Sequence, residues 1–402
     1  MLNWANRFNI CCFLDSHTDV FPRQVQSCIA GVSALKRFSS LDELPASAND
    51  WLFGHFSYDL KDIIEPHQQQ AKPARVQWPE LFFFIPETTL ELSSTSLRIG
   101  STTANHDRIW EEIGEERTDA DVAQKTTVAF LPGMSKQEYL DNVNRIMSHI
   151  HRGDCYELNY CQEFYATGIE ADPLDLYRKL SNTSPAPFAA YYKTGNRYLI
   201  SASPERYLRR EGEDLISQPI KGTRGRDRAN PENDRRLIEE LRNDPKERAE
   251  NIMIVDLVRN DLSRVCREGS VHVEELCGIY SFPQVHQMIS TVVGKVPANT
   301  GWVDFIKASF PMGSMTGAPK KRVMELIEKY EPVKRGLYSG TLGYVKPNGD
   351  FDFNVVIRSL QYDTAGKVLS YHVGSAITGY CDPEKEYEEC LVKAKGILDA
   401  LT

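Results

Sequence analysis

Strand-like runs in this chain follow one another in hairpin-like succession while its helix-forming stretches come in blocks, an order that disfavours regular strand–helix alternation about a parallel sheet. An α+β class is what remains. In residues 1–98, apolar runs such as Leu81 to Ile85 are broken by Pro66, Pro73, Pro79 and Pro86. This part reads as β-rich, with a polar Gln-rich loop at 67–70. Residues 99–127 are polar and acidic with little periodicity, and read as a linker or surface excursion before a region at 128–402. There Ser135 and Glu138 form a capping-box pattern ahead of Tyr139, Val143, Ile146 and Ile150 at helical spacing. Residues 155–165 alternate as a strand, and SQPIKGTRGR reads as a Gly-containing turn. Helices are expected at 232–242 and 246–258, with Pro319 in the first turn of a third and a last one from Pro383, and strands near 270–280, 338–346, 351–361 and 367–373.

Charge narrows the function. Of the 402 residues, 47 are Lys or Arg and 56 Asp or Glu, a net charge of −9. That balance argues against nucleic acid or an anionic membrane as the main partner, while leaving room for a local cationic pocket. The nine cysteines are odd in number and lack a C-x-x-C pair, so they read as reduced, mostly buried thiols. No stretch approaches the roughly 18 apolar residues of a membrane span, and the first residues lack a signal-peptide pattern, so the expected location is the cytoplasm.

Four segments hold residues suited to chemistry. In KERAENIMIVDLVRND, Glu250 shares a helix face with Ile254 and Leu257, and Glu247 lies one turn before it. Glu386 and Glu389 repeat that spacing in the last helix. Two such pairs could hold one hard divalent ion, and solvated helix faces are the plainer alternative. Lys221 follows Ile220 in a cluster with Arg224, Arg226 and Arg228. An apolar neighbour and nearby positive charges would favour its neutral, nucleophilic amine, and an exposed basic loop is the plainer alternative. GSMTGAPKK sets Gly313, Ser314, Thr316 and Gly317 before a helix start, an arrangement open to an anion or to a simple capped turn.

Taken together, SPERYL (203–208), PIKGTRGR (219–226), RAENIMIVDLVRNDL (248–262), GSMTGAPKKR (313–322), SGTLGYV (339–345), IRSL (357–360) and the terminal EKEYEECLVKA resemble the chorismate-utilising enzymes. The resemblance covers roughly residues 130–402, with the motifs in family order. It implies two packed antiparallel sheets with helices outside, and chorismate and Mg²⁺ as ligands. It further implies Glu250 and Glu389 as direct metal ligands with Glu247 and Glu386 beside them. Arg358 and Tyr344 would contact a substrate carboxylate, and Thr223, Thr316, Gly317, Gly374 and Ser375 would line the pocket.

Residue 221 selects a branch. Lysine in PIKGT resembles the aminodeoxychorismate synthases, in which the amine adds at C2 of chorismate so that ammonia is directed to C4. Glu205 of SPERYL matches the general acid for the departing C4 hydroxyl, a role that needs a raised pKa. Ammonia would come from a separate glutamine amidotransferase, since Cys155 lacks the G-x-C-x-G turn of a glutaminase nucleophile. Three positions depart from the family pattern: Glu157 where aminating members commonly have Gln, Gln287 with His286 displaced by one, and the segment Gly374, Ser375, Ala376, Ile377. The competing readings are an anthranilate synthase component I, an isochorismate or salicylate synthase, and an inert scaffold.

Overall fold

The computed structural model describes residues 1–17, 21–23, 28–66, 71–115, 128–298 and 300–401. The Gln-rich stretch 67–70 and residues 116–127 lie outside them. Two antiparallel sheets form the frame, of eleven and ten strands among the described residues. They meet through Cys12, Tyr192 and Leu199 of the larger sheet and Phe53, Phe84 and Leu342 of the other, all buried. Helices cover the outer faces: Lys136–His151 packs Tyr139, Val143 and Ile146 against Leu158, Tyr160 and Phe164. On the other side Pro245–Ser263 sets Ile254, Val258 and Leu262 against Leu208, Leu215 and Val292. The α+β class and the packed sheets implied by the motifs are present in this form.

Residues 1–98 are built into both sheets. Ile10–Asp15 pairs with Phe188–Thr194, and Leu52–Phe56 pairs with Thr341–Val345. The polar stretch at 99–127 is partly regular: Leu97–Ser101 pairs with Thr88–Leu92, and His106–Glu115 is a helix with Ile109 buried.

Local signals set the helix starts. Ser135 Oγ accepts from the Glu138 amide at 3.2 Å, and Glu138 accepts from the Ser135 amide at 2.8 Å. Asp244 and Asp382 cap the two glutamate helices, each followed by proline in the first turn. Both helices therefore begin just ahead of their Glu pairs, with Glu247 and Glu386 in the first turn, where the positive end of the helix dipole favours carboxylates.

The sequence-based expectation differs from the structure in three places. The strand Glu157–Thr167 alternates as read, yet both of its faces are buried as far as Phe164, because the second sheet lies on one side and helices on the other. The single run expected at 351–361 is two strands in different sheets, Phe351–Asn354 and Ser359–Asp363. Arg197–Ser203 and Arg206–Glu211 also divide between the sheets. The two crossings run side by side, tied by Val355 N donating to Glu205 O at 3.0 Å and Ala202 N to Arg358 O at 3.1 Å. Glu205 and Arg358 thus stand at the corner where strands change sheets.

The third difference is PIKGTRGR, which is an edge strand, Ile220–Gly225, paired with Val285–Lys295. Its register shifts between Ile220 and Thr223, the mark of a bulge. Gly222 sits in the shift at φ +94°, and a Cβ there would lie 3.2 Å from Glu247 Cβ. The two glycines that suggested a turn instead allow a kinked strand to pass close to the Glu247 helix.

Candidate active site

A cavity of about 720 Å³ opens beside the sheet corner. Its wall includes Glu205 and Arg358 from the crossings, Lys221 and Thr223 from the bulged strand, and Glu247, Glu250, Glu386 and Glu389 from the two helices. Sequence spacing had separated these residues by as much as 184 positions (389 − 205), and the fold gathers them on one wall.

Lys221 donates to Glu157 Oε1 at 2.8 Å, and only 12% of its side chain is exposed. Burial opposes the ammonium charge, but the carboxylates of Glu157, Glu250 and Glu205 outweigh it and hold the amine well above the ordinary lysine range. The expected neutral amine is therefore corrected. The neighbouring arginines turn away from Lys221: Arg224 binds Asp244 at 2.6 Å and Glu247 at 3.2 Å, and Arg226 binds Asp234 at 2.8 Å.

Glu205 is buried, and burial pushes its carboxyl up to about 7 against the opposing pull of Ser314 and Lys221. That is the raised value a proton donor at neutral pH requires. Burial also takes Glu250 up to about 7. Glu386 is raised by burial and by Glu389, whereas Lys393, 2.7 Å from Glu389, overcomes burial there and holds that carboxyl low.

The four glutamates suit a hard divalent cation in chemistry. Glu250 Oε1 is buried without a hydrogen-bond partner, and the Lys246 ammonium stands 3.8 Å from both that atom and Glu386 Oε1. Lys246 thus links the two helices, while Lys393 neutralises Glu389 at 2.7 Å. Among the described residues no three His, Cys, Asp or Glu side chains stand close enough together to hold a metal ion by themselves. The oxygen donors fit Mg²⁺ provided other ligands complete the shell.

Arg358 lies on the cavity wall at φ +53°, a conformation uncommon for a residue with a side chain, and burial lowers its guanidinium pKa. Gly374 lines the cavity, and its carbonyl accepts from Lys393 Nζ at 2.9 Å. Other expected pocket residues stand one layer back. Ser375 is fully buried, with its hydroxyl 3.2 Å from Tyr139 Oη. Thr316 turns its hydroxyl to the Met312 carbonyl at 3.0 Å. Gly317 pairs with Leu158 at φ +138°, where a Cβ would fall 2.1 Å from the Glu157 carbonyl oxygen. Ser314 and Met315 present this loop to the cavity instead.

Tyr344 is a clear correction. It lines a different cavity, of about 130 Å³, with Arg206, Arg209 and Asp352, and its ring lies 5.8 Å from that of Trp51. Strand alternation points it away from the Lys221 cavity. Tyr338, one residue before the SGTLGYV motif, is the tyrosine on the main cavity wall, stacked on His372 at 5.2 Å. Asn159, Lys246 and Lys393 also line the cavity and were not anticipated. Gln287 faces it, while His286 on the opposite side of the strand binds Asp234 at 3.0 Å.

A model of the chorismate binding enzyme family matches residues 12–399, and the chain belongs to that family. Its relatives include aminodeoxychorismate synthase component 1 of Klebsiella aerogenes, 36% identical over 350 residues, covering 87% of this chain and 76% of that protein. The chloroplastic aminodeoxychorismate synthase of Arabidopsis thaliana is 41% identical over 284 residues, 69% of this chain but only 30% of the plant protein. Among solved structures, anthranilate synthase component I from Streptococcus pneumoniae TIGR4 aligns with a TM-score of 0.79 and 26% identity, covering 89% of this chain and 81% of that one. Among the described residues no helix is long and apolar enough to cross a membrane.

Proposed function

We propose that this chain aminates chorismate at C4, giving 4-amino-4-deoxychorismate, with ammonia delivered by a separate glutamine amidotransferase. The observation that carries this reading is the amine of Lys221 on the wall of a cavity it shares with Glu205 and Arg358. In this reading Lys221 Nζ bonds to C2 as the C4–O bond breaks, and Glu205 protonates the departing hydroxyl as water. Ammonia then bonds to C4, the C2–Nζ bond breaks, and the surplus proton on the new amine returns to Glu205. With C2 occupied, nitrogen has only C4 to attack. Arg358 would orient one carboxylate of the substrate through its planar donor fork. Glu247, Glu250, Glu386 and Glu389 would hold Mg²⁺, which when bound supplies positive charge for the other carboxylate.

Purified protein with chorismate, Mg²⁺ and an ammonium salt tests the proposal. The expected product yields 4-aminobenzoate only after a suitable lyase is added, and chelation of Mg²⁺ abolishes turnover. Direct appearance of fluorescent anthranilate would assign the chain to the other aminating branch. Conversion of chorismate without any nitrogen source would assign it to the hydroxylating one.

A further inference from the structure

Glu157 is a buried ionisable group to which the proposed mechanism gives no task. Glu157 is 1% exposed, and its Oε1 accepts from Lys221 Nζ at 2.8 Å while Oε2 has no hydrogen-bond partner. It is not on the cavity wall, where Asn159, two residues along the same strand, does appear. The carboxylate therefore lies behind the lysine. A buried carboxylate is costly unless its charge is matched, and the match here is the one amine that the reaction must discharge.

The backbone around Glu157 is fixed from both sides. Ala318 pairs with Glu157 and Gly317 with Leu158, an approach so close that only glycine fits at 317. Asn159 N donates to Thr316 O at 2.8 Å, continuing the clamp. A group held this rigidly at hydrogen-bond distance from one nitrogen is suited to passing a single proton back and forth.

We infer that Glu157 is the proton acceptor and donor of Lys221: it takes the ammonium proton as Nζ bonds to C2, stores it away from the cavity, and returns it when the C2–Nζ bond breaks. This inference rests on the covalent role of Lys221 proposed above. The protons balance, because the one moved to Glu157 in the first half goes back to Nζ in the second. The Glu205 proton leaves in water and is replaced from ammonia. Glu157 does not face the cavity, so it serves neither water nor ammonia. A second consequence is that the lysine stays charged between turnovers and does not react with stray electrophiles.

Among the described residues, the carboxylates that act on Lys221 include Glu157 from its strand, Glu205 from the sheet crossing, Glu250 from the Pro245–Ser263 helix and Glu389 from the last helix. Only Glu157 touches it, so the experiment removes that contact. With chorismate and no ammonia, intact-protein mass spectrometry follows an adduct equal in mass to chorismate less one water. Glu157→Gln is expected to form it on the order of 10²-fold more slowly. Glu157→Ala should be slow as well and be accelerated by added formate, which can enter the vacated space; a structural role would give no such rescue. Without substrate, labelling of Lys221 by acetic anhydride at pH 8, read on the tryptic peptide, should be at least ~10-fold faster in Glu157→Gln, since burial then dominates the charge balance. Wild-type adduct kinetics in Glu157→Gln, absence of formate rescue, or unchanged labelling would overturn the role of Glu157. Absence of any adduct in the wild type would instead overturn the covalent reading itself.

Discussion

In its proposed role as proton donor, Glu205 carries opposite demands for stability and for chemistry. Its carboxyl is raised by burial from 4.5 to about 7, so the folded chain binds this proton more tightly than the unfolded chain does. Stability from this group is complete below about pH 4.5 and falls as pH rises toward 7, a loss on the order of 3 kcal/mol above that range. Glu205→Gln, which cannot ionise, should therefore melt at a higher temperature than the wild type at pH 8 while losing on the order of 10²-fold or more in kcat. Thermal melts at pH 5 and pH 8 check the first part, since the stabilisation should shrink at the lower pH. Much at this scale was legible: the identities of Lys221, Glu205, Arg358 and the four glutamates are in the sequence, and the cavity contains them all. The charge of Lys221 was not legible. Its sequence neighbours are arginines, whereas the groups that set its state come from positions 157, 205 and 250. Local charge misled because the arginines found aspartates and a glutamate of their own.

Among the elements, helix starts were easiest to read, since the Ser135 box and the prolines at 245 and 383 act within one turn of chain. Strands with glycine were hardest. In PIKGTRGR the glycines mimic a turn, and only the partner strand Val285–Lys295 reveals a bulge. The division of residues 351–361 was hidden for a related reason: a sheet crossing keeps the extended, apolar pattern of an unbroken strand. Gly317 puts the element scale to a test. Its φ is +138°, and a Cβ there would fall 2.1 Å from the Glu157 carbonyl oxygen, which leaves no room for a methyl group. Gly317→Ala should separate the loop from the Glu157 strand, cost about 3 kcal/mol or more, and weaken turnover even where the protein remains folded. Denaturant melts together with kcat distinguish these effects, and a wild-type melting curve would contradict the account.

At the scale of the whole molecule, residues 1–98 supply strands to both sheets, so they cannot be removed as a separate part. Without them Phe188–Thr194 and Thr341–Val345 each lose a partner strand, and the buried cluster around Phe53, Phe84 and Leu342 is opened. A fragment of residues 128–402 should aggregate or lack a cooperative melt, because exposed strand edges and apolar faces favour association. A soluble fragment with a sharp transition would show that the two parts fold independently. The Lys221–Glu157 contact has a consequence of a different kind, for the order in which mutations can accumulate. Lys221→Ala alone leaves a carboxylate buried without its cation, a loss of about 3–5 kcal/mol in comparable pairs. Changing Glu157 to glutamine first avoids that stranded charge. The double variant should then be more stable than Lys221→Ala alone, so that, under the regiochemical role proposed for Lys221, a drift toward another product is passable by one sequence of steps and obstructed by the reverse.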